Sequence, residues 1–323
     1  MLTWSGLRVW LRRSVLSLVL VGLCLFLATR TPTFLTPDNL LNVLRNVSVP
    51  GIIALGMTMV IIAGEIDLSV GSMVAFAGCC AAWVTGRATP ALGGPAAAAL
   101  GVVCALGCGA GCGCLTGLLR VRRRVPTFIT TLAWLTVLRG AAQLTNHGFT
   151  LTTFPRGYDW LGAGNVAGVP VPALAFVLVA AAVWLLMSHT TYGRAIYAVG
   201  GNVEAARLSG IDVSRLKIAV MATVAFLAAL GGILQSARLN SGNPTTAVGL
   251  ELEAISAVII GGTSLTGGTG TVHGTLAGVV FLGVLGNGMT LLNVDEYWQN
   301  VVRGALILGA VLLNAEPAKE GVR

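Results

Sequence analysis

The chain has 323 residues, of which 55% are hydrophobic and 10% are charged, and its mean hydropathy is +0.85. A water-soluble domain averages roughly a quarter charged residues, so this composition excludes an ordinary soluble protein. It predicts an all-α polytopic membrane protein that forms a single transmembrane domain over residues 1–323. The net charge of +8 does not indicate a nucleic-acid partner, because the charges lie in short gaps between apolar runs.

About ten apolar runs follow one another, and we interpret them as transmembrane helices. They lie near residues 14–30, 47–64, 69–86, 91–119, 126–145, 169–188, 216–237, 250–264, 272–292 and 299–314. Several are shorter than the ~20 residues that a straight span needs, and glycines interrupt them. Short or broken helices are therefore expected. The first run follows a basic start like that of a signal peptide, but its cleavage-site pattern is poor, so we interpret it as a span.

The distribution of Lys and Arg predicts the orientation, because cytoplasmic segments are enriched in these residues. With the N-terminus in the cytoplasm, thirteen basic residues fall in inside segments: Arg8, Arg12, Arg13, Arg120, Arg122, Arg123, Arg124, Arg194, Arg207, Arg215, Lys217, Lys319 and Arg323. Four fall in outside segments: Arg30, Arg87, Arg156 and Arg238. This ratio predicts both termini in the cytoplasm and an even number of spans, with eight and ten both open.

The first glycine-rich stretch, GEIDLSVGS at 64–72, carries two acids near the end of a predicted span. Acids at membrane depth are expensive, and they commonly line a polar path or pair with a cation. Asp67 is expected to cap a helix that begins near Leu68. The candidate path or gate residues here are Glu65, Asp67, Ser69, Gly71 and Ser72. The alternative, that Asp67 only caps and the glycines only allow close packing, remains open.

Three cysteines recur at every fourth residue within the run at 96–119. Cys104, Cys108 and Cys112 therefore share one helix face. No His or carboxylate lies near them, and thiolates in lipid are costly. We interpret them as small packing residues and expect no metal site.

The longest predicted outside loop covers about 146–170 and contains the sequence GYDW. It is either a simple connector or a contact for a partner outside the cell. Tyr158 and Trp160 in this loop fit an interfacial aromatic belt as well as a docking surface.

The stretch GNVEAARLSGIDVSRLK, at 201–217, is a charged segment in an apolar chain. Asn202 is a favourable N-cap, Glu204 lies in the first turn, and Gly210 can close a helix of about two turns. So short a helix is marginal alone and needs a surface to pack on. Within the predicted cytoplasmic segment 189–217, it is either a linker lying on lipid or a docking helix for a cytoplasmic partner.

The second glycine-rich stretch, GGTSLTGGTG at 261–270, is not a phosphate-binding loop. Such a loop needs Gly-Lys-Ser/Thr, and neither Lys217 nor Lys319 follows a glycine. The chain therefore carries no ATP site and no predicted catalytic residue. Gly261, Gly262, Thr263 and Ser264 are further candidate path or gate residues. The pattern of residues 60–64 recurs at 258–262, which is compatible with an internal repeat.

Four stretches together resemble ABC importer permeases of the monosaccharide branch, which includes the ribose, xylose and arabinose types. They are GEIDLSVGS (64–72), RVPTFITTL (124–132), GRAIYAVGGNVEAARLSGI (193–211) and AISAVIIGGTSLTGGTGTVHGTLAG (254–278). The third contains the EAA-x-x-x-G pattern of the family's coupling helix. The chain departs from the family pattern at Arg124, Thr127, Thr269 and His273.

The resemblance implies the permease subunit of an ATP-driven, binding-protein-dependent monosaccharide importer in the bacterial inner membrane. It implies cytoplasmic ATPase subunits that bind ATP and Mg²⁺, an extracytoplasmic solute-binding protein and a second permease subunit, either identical or related. No cofactor is expected on this chain. The residues implied to contact the ATPase are Glu204, Ala205, Ala206, Arg207, Gly210 and Ile211.

Two other transport functions remain as alternatives. A cation- or proton-coupled secondary transporter would use Glu65 and Asp67 for coupling. An ABC permease for another small polar solute, such as a nucleoside or a branched-chain amino acid, fits less well with GEIDLSVGS. A membrane-embedded enzyme would need a catalytic cluster, which this sequence lacks.

Overall fold

The structure is a computed structural model that describes residues 4–145 and 147–314, without the side chains of residues 4–15, 310, 311, 313 and 314. The predicted cytoplasmic location of both termini relies on Arg8, Arg12 and Arg13, whose side chains are not described. It also relies on Lys319 and Arg323, which lie outside the described residues.

The described residues form thirteen helices and one two-stranded hairpin, so the predicted all-α architecture is confirmed. In chain order the elements are α1 (Trp4–Arg30), α2 (Pro37–Ile62), α3 (Val70–Leu92), α4 (Gly94–Arg123), α5 (Thr127–Thr145), α6 (Trp160–Ala163), β1 (Asn165–Val166), β2 (Val169–Pro170), α7 (Val171–His189), α8 (Thr191–Gly201), α9 (Val203–Leu208), α10 (Val213–Leu239), α11 (Leu250–Ile260), α12 (Val272–Leu291) and α13 (Glu296–Asn314). The two strands pair antiparallel.

Each of the ten apolar runs corresponds to a helix, and judged by the described side chains alone, five of these helices are long and apolar enough to cross a bilayer. The five are α2, α4, α7, α10 and α12. The helix α11 has 11 residues. At 1.5 Å per residue it spans about half of a ~30 Å hydrocarbon core, as expected for a broken helix.

The helix α2 is the centre of the bundle. Every residue from Val47 to Ile62 is buried except Pro50. The helices α7, α10, α11 and α12 all pack against it. An apolar helix that is enclosed on all sides provides a fixed frame, against which the shorter elements at both ends of the bundle are placed.

Small residues bring α4 close to α10, as membrane helices require when packing rather than water drives association. A Cβ on Gly109 would lie 2.6 Å from Cβ of Ala229, and one on Gly113 would meet the carbonyl oxygen of Met221. The stripe of small buried residues on α4 is Gly101, Ala105, Gly109, Gly113 and Gly117.

The cysteines of α4 do not lie on the stripe that packs against α10, although Cys112 packs against the hydrophobic core. Cys108 is exposed, whereas Cys104 and Cys112 are half-buried. Two of the residues that pack against α10 follow a cysteine by one position, since Gly109 follows Cys108 and Gly113 follows Cys112. Glycine is found there because it lets the two backbones approach more closely than cysteine does.

The predicted outside loop folds back onto the bundle. Tyr158 is buried, stacks on Phe154 with ring centroids 3.8 Å apart, and lies 2.9 Å from the Ser236 hydroxyl. Tyr158 is therefore neither a docking residue nor part of an aromatic belt, whereas Trp160 is exposed. We call this side of the bundle, with α6 and the hairpin, the α6 end, and the opposite side the α9 end.

Candidate functional site

The helix α9 is short and capped at both ends. The Asn202 side chain accepts a hydrogen bond from the Ala205 N–H at 2.9 Å. At the other end Gly210 has φ +84°, a conformation that glycine adopts at little cost, and the Ile211 N–H donates to the Ala206 carbonyl at 3.1 Å. The helix expected from the charged segment is present, and its two caps fix where it begins and ends.

Most of the surface of α9 faces away from the protein. Glu204 and Arg207 form an ion pair at 3.2 Å, with their side chains 68% and 62% exposed. Leu208 is 82% exposed, while Ala206 is buried against the bundle. One face thus anchors the helix, and the other presents an apolar side chain flanked by two charges.

The helix α8 fixes this segment to both glycine-rich connections. A Cβ on Gly200 would meet the carbonyl oxygen of Ile62, the last residue of α2. The same carbonyl accepts a hydrogen bond from the Gly268 N–H at 2.9 Å. The Tyr197 hydroxyl donates to the Gly270 carbonyl at 3.0 Å. Three stretches far apart in the sequence therefore meet at the α9 end.

Glu65 is the centre of a buried charged cluster at this end. Its carboxylate Oε1 accepts hydrogen bonds from Arg120 Nε at 2.9 Å and from Lys217 Nζ, and its Oε2 accepts one from the Thr127 hydroxyl at 2.6 Å. The side chains of Glu65 and Lys217 are 5% and 9% exposed. These contacts tie the α2–α3 connection to α4, α5 and α10. We call these four residues the Glu65 cluster.

The pKa values of the two acids in this connection are shifted in opposite directions. Burial pushes the pKa of Glu65 upward, but hydrogen bonds from Lys217 and Thr127, the Lys217 charge and the Arg120 hydrogen bond outweigh it and hold the pKa below its ordinary value. Burial raises the pKa of Asp67, against two opposing hydrogen bonds from Ser69. Glu65 is therefore the acid that the surroundings keep ionised.

The start of α3 differs from the sequence expectation. The helix begins at Val70, with Ser69 rather than Asp67 at the N-cap position. Asp67 accepts hydrogen bonds from the Ser69 N–H at 2.8 Å and the Ser69 hydroxyl at 2.6 Å. This local turn competes with capping and delays the helix by two residues. Ser72 is buried in its first turn.

Gly71 marks a close approach between α3 and α11. A Cβ there would lie 2.6 Å from the Ala247 carbonyl oxygen and would also meet the Glu251 carboxylate. Only glycine allows this distance. The expected path or gate residue Gly71 thus lies where the broken helix α11 begins.

The second glycine-rich connection closes on itself between α11 and α12. The Ser264 N–H donates to the Thr269 carbonyl at 3.1 Å, and Thr263 is buried. A Cβ on Gly261 would lie 2.8 Å from the Thr275 backbone nitrogen, so the two helices touch there. A Cβ on Gly267 would lie 3.1 Å from the Cα of Gly64, so the two glycine-rich connections adjoin.

The repeated sequence pattern forms the same cap at both places. The N–H groups of Gly64 and Glu65 donate to carbonyls three and five residues earlier, and those of Gly262 and Thr263 do the same. However, Gly210 and Ile211 at the end of α9 share this geometry. It is the general way in which a helix ends at glycine, so the pattern is no specific sign of a repeat.

Three members of the Glu65 cluster were not expected as site residues, because Thr127 was noted only as a departure from the family pattern and the other two only as basic residues. Arg120 and Lys217 entered the sequence interpretation only as charges that set the orientation. Their signal was indirect: an acid at membrane depth needs a cation, and both lie in predicted segments at the same end. The sequence does not show which basic residue of each segment comes next to Glu65, so these two could not be distinguished from the others.

Comparisons with known proteins agree with this architecture. Residues 39–311 match the family described as branched-chain amino acid transport system / permease component. The chain is 42% identical to the ribose import permease protein RbsC of Escherichia coli (strain K12), over 95% of both chains. It is 36% identical to the L-arabinose ABC transporter permease protein AraH of Azospirillum brasilense, over 95% of this chain and 89% of AraH.

The third relative is the xylose transport system permease protein XylH of Escherichia coli (strain K12), which is 33% identical over 97% of this chain and 94% of XylH. No solved structure matches the chain significantly. The resemblance inferred from the motifs is thus confirmed over nearly the whole chain. The chain belongs to the permease family of ABC importers, in the branch that contains the ribose, arabinose and xylose permeases.

Proposed function

We propose that this chain is the transmembrane permease subunit of an ATP-driven, binding-protein-dependent importer of a monosaccharide. It lies in the bacterial inner membrane with both termini in the cytoplasm, and it forms the translocation path with a second permease subunit, identical or related. Cytoplasmic ATPase subunits bind ATP and Mg²⁺, and a solute-binding protein delivers the sugar from outside. The chain itself holds no cofactor.

The observation that carries this proposal is the exposed face of α9. Glu204 and Arg207 project from a helix that is capped at both ends, and the neighbouring Leu208 is almost wholly exposed. Leucine at such a position gives no stability to this chain, but it is suited to a pocket on a partner. The basic residues around the α9 end agree with a cytoplasmic location.

The contacts beneath α9 suggest how a motion of the ATPase reaches the path. The segment α8–α9 touches the end of α2 at Ile62 and the second glycine-rich connection at Gly268 and Gly270. A displacement of α9 therefore acts on α2 and on the turn between α11 and α12 together. The Glu65 cluster passes the same displacement to α4, α5 and α10.

Both glycine-rich connections are proposed to form the gate at the cytoplasmic end of the path. Their residues are Glu65, Asp67, Ser69, Gly71 and Ser72 in the first connection, and Gly261, Gly262, Thr263 and Ser264 in the second. Carboxylates that are hydrogen-bonded within the protein, as Glu65 and Asp67 are, next to backbones in close contact, suit a seal that opens when the helices move apart.

A monosaccharide is favoured over other solutes by the three relatives, whose names specify ribose, L-arabinose and xylose. The family description names branched-chain amino acids instead. Because each relative covers nearly the whole chain, their shared class of solute carries more weight than the description of the wider family.

Coupling to a cation or proton gradient through the two acids is disfavoured by their surroundings. Both Glu65 oxygens accept hydrogen bonds, two of them from cationic side chains, and Asp67 accepts two from Ser69. A carboxylate that must bind and release an ion in each cycle needs to be freed from such partners.

Uptake by intact cells tests the function. A strain that lacks this chain, with and without a plasmid copy, is given radiolabelled D-ribose, L-arabinose, D-xylose or L-leucine. We expect uptake of at least one pentose to depend on the chain and to stop on ATP depletion, while leucine uptake is unchanged. Pentose uptake that survives ATP depletion but collapses with the proton gradient would establish a secondary transporter, and chain-dependent uptake of leucine alone would establish an amino-acid permease.

A further inference from the structure

A cavity of about 290 Å³ lies between α2, α11, α12 and α13, away from both glycine-rich connections. Its polar lining includes Asn42, Asn46, Glu253, Asn287, Gln299 and Arg303. It lies towards the α6 end, because Asn42 and Gln299 are near the starts of α2 and α13, which begin at that end. Its volume is close to the lower limit of the ~300–1,000 Å³ that small-molecule sites occupy.

Several of the amides in this cavity already have partners within the protein: Asn46 Oδ1 accepts a hydrogen bond from Arg238 Nη2 at 2.8 Å, and Gln299 Nε2 donates one to the Val294 carbonyl at 3.0 Å. The two charged side chains are the part of the lining that needs an explanation. Charged and amide groups at membrane depth are expensive unless they face water, a partner or a polar ligand. Glu253 on α11 and Arg303 on α13 both line the cavity. Among the ion pairs of the described residues, however, none joins these two side chains.

One side of the cavity is held rigid by an amide pair. Asn287 and Asn39 exchange two hydrogen bonds, at 3.0 and 2.8 Å, which orient the Asn287 side chain on α12. Asn42 lies one turn further along α2 than Asn39. Fixed groups of this kind lower the entropy cost of binding, because they need no rearrangement when a ligand arrives.

We propose that this cavity is a monosaccharide-binding site within the permease itself, on the side where the sugar enters. The proposal rests on the proposed function and adds the site. Amides both donate and accept hydrogen bonds, a carboxylate accepts and a guanidinium donates, which together complement the paired donor and acceptor character of sugar hydroxyls. One carboxylate and one guanidinium cancel in charge, so a neutral polyhydroxylated ligand is favoured over an ion.

Gly286 gives a direct way to fill the cavity. It lies on α12 in the cavity wall, and the nearest atom that a Cβ would meet is the Arg303 Nη2 at 3.6 Å. A leucine at this position enters the cavity without a backbone clash. Gly304 on α13 is the matched control, because a Cβ there meets nothing within 4 Å and the residue does not line the cavity.

The experiment compares wild type, Gly286→Leu and Gly304→Leu in two assays, uptake by cells and thermal unfolding of the purified chain with the pentose that wild type transports. Gly286→Leu is expected to lower uptake by about tenfold or more at equal amounts of chain in the membrane, and to abolish the rise in Tm that the pentose causes in wild type. Gly304→Leu is expected to match wild type in both assays.

Glu253→Gln is a second variant that keeps the shape of the side chain and removes its charge. It is expected to weaken the pentose-induced rise in Tm and to lower uptake. If Gly286→Leu does not fold, this variant alone tests whether the cavity binds the sugar. Wild-type uptake and Tm response in both cavity variants would overturn the site while leaving the proposed function intact. A wild-type chain that supports no ATP-dependent uptake of any monosaccharide would overturn the proposed function itself.

Discussion

At the α9 end, Glu65 and Glu204 both pair with arginine at similar distances, but their surroundings are opposite. The Glu65–Arg120 pair has an N–O distance of 2.9 Å and the Glu204–Arg207 pair one of 3.2 Å. The Glu65 side chain is 5% exposed, whereas that of Glu204 is 68% exposed. The comparison separates two roles for charge: one pair holds helices together, and the other presents a surface.

The difference follows from desolvation. A buried ion has lost its water, so each partner that is removed leaves an unpaired charge in a poor solvent. An exposed pair remains hydrated, and its partner can be exchanged for water at almost no cost. The Glu65 cluster therefore contributes to folding, while Glu204 and Arg207 can exchange partners at little cost in stability.

The largest effect is expected for Lys217→Met. This change leaves Glu65 buried with one cation fewer, and we expect it to lower the free energy of unfolding by about 3–5 kcal/mol. Thermal unfolding of the purified chain in detergent measures the loss. The double variant Glu65→Gln with Lys217→Met is expected to recover part of it, and a single variant as stable as wild type would show that the pair does not hold the helices.

Thr127→Val should have the next largest effect. It removes the hydroxyl that donates to Glu65 Oε2 but keeps the volume and shape of the side chain. A hydrogen bond to a charged group contributes about 1.5–3 kcal/mol, so a loss in that range is expected in the same unfolding assay. Combining it with Glu65→Gln should give less than the sum of the two single effects, and full additivity would argue against direct coupling.

Gly71→Ala tests the packing of the connection that carries Glu65. The added methyl group would meet the Ala247 carbonyl and the Glu251 carboxylate, and overpacking of this kind costs about 1–3 kcal/mol. Gly140→Ala on α5 is the control, because a Cβ there has open space and alanine favours the helix. Equal unfolding temperatures for the two variants would contradict the close approach of α3 and α11.

The smallest effect on stability is expected for Glu204→Gln. The exposed pair on α9 contributes less than about 1 kcal/mol, so the unfolding temperature should stay close to that of wild type. A loss as large as that of Lys217→Met would mean that α9 is part of the folded core and would remove the contrast between the two carboxylates.

The sequence was a good guide to the helices and to α9. All ten apolar runs form helices, because the length of a hydrophobic run can be read directly from the sequence. The ends of α9 were equally clear, because Asn202 and Gly210 act within a few residues of themselves. Local rules of this kind need no knowledge of the rest of the fold.

Contacts over long distances in the sequence were not predictable. Glu65 meets Lys217 across 152 positions, and nothing in either stretch specifies the other. The turn that Asp67 makes with Ser69 displaced the start of α3, because two hydrogen bonds to one neighbour competed with capping. The cavity near Arg303 depends on how α13 packs on α11, which periodicity does not define.

Binding of the ATPase by α9 is the most direct test of the proposed function. The chain is co-expressed with its cognate ATPase subunit and purified, and the ATPase retained per chain is measured for wild type, Glu204→Arg, Leu208→Ala and Leu178→Ala. Leu178, on α7, is a matched control because it is 70% exposed but lies on a transmembrane helix. We expect wild type and Leu178→Ala to retain the ATPase and Glu204→Arg and Leu208→Ala to lose most of it; equal retention by all four chains would show that α9 is not the contact.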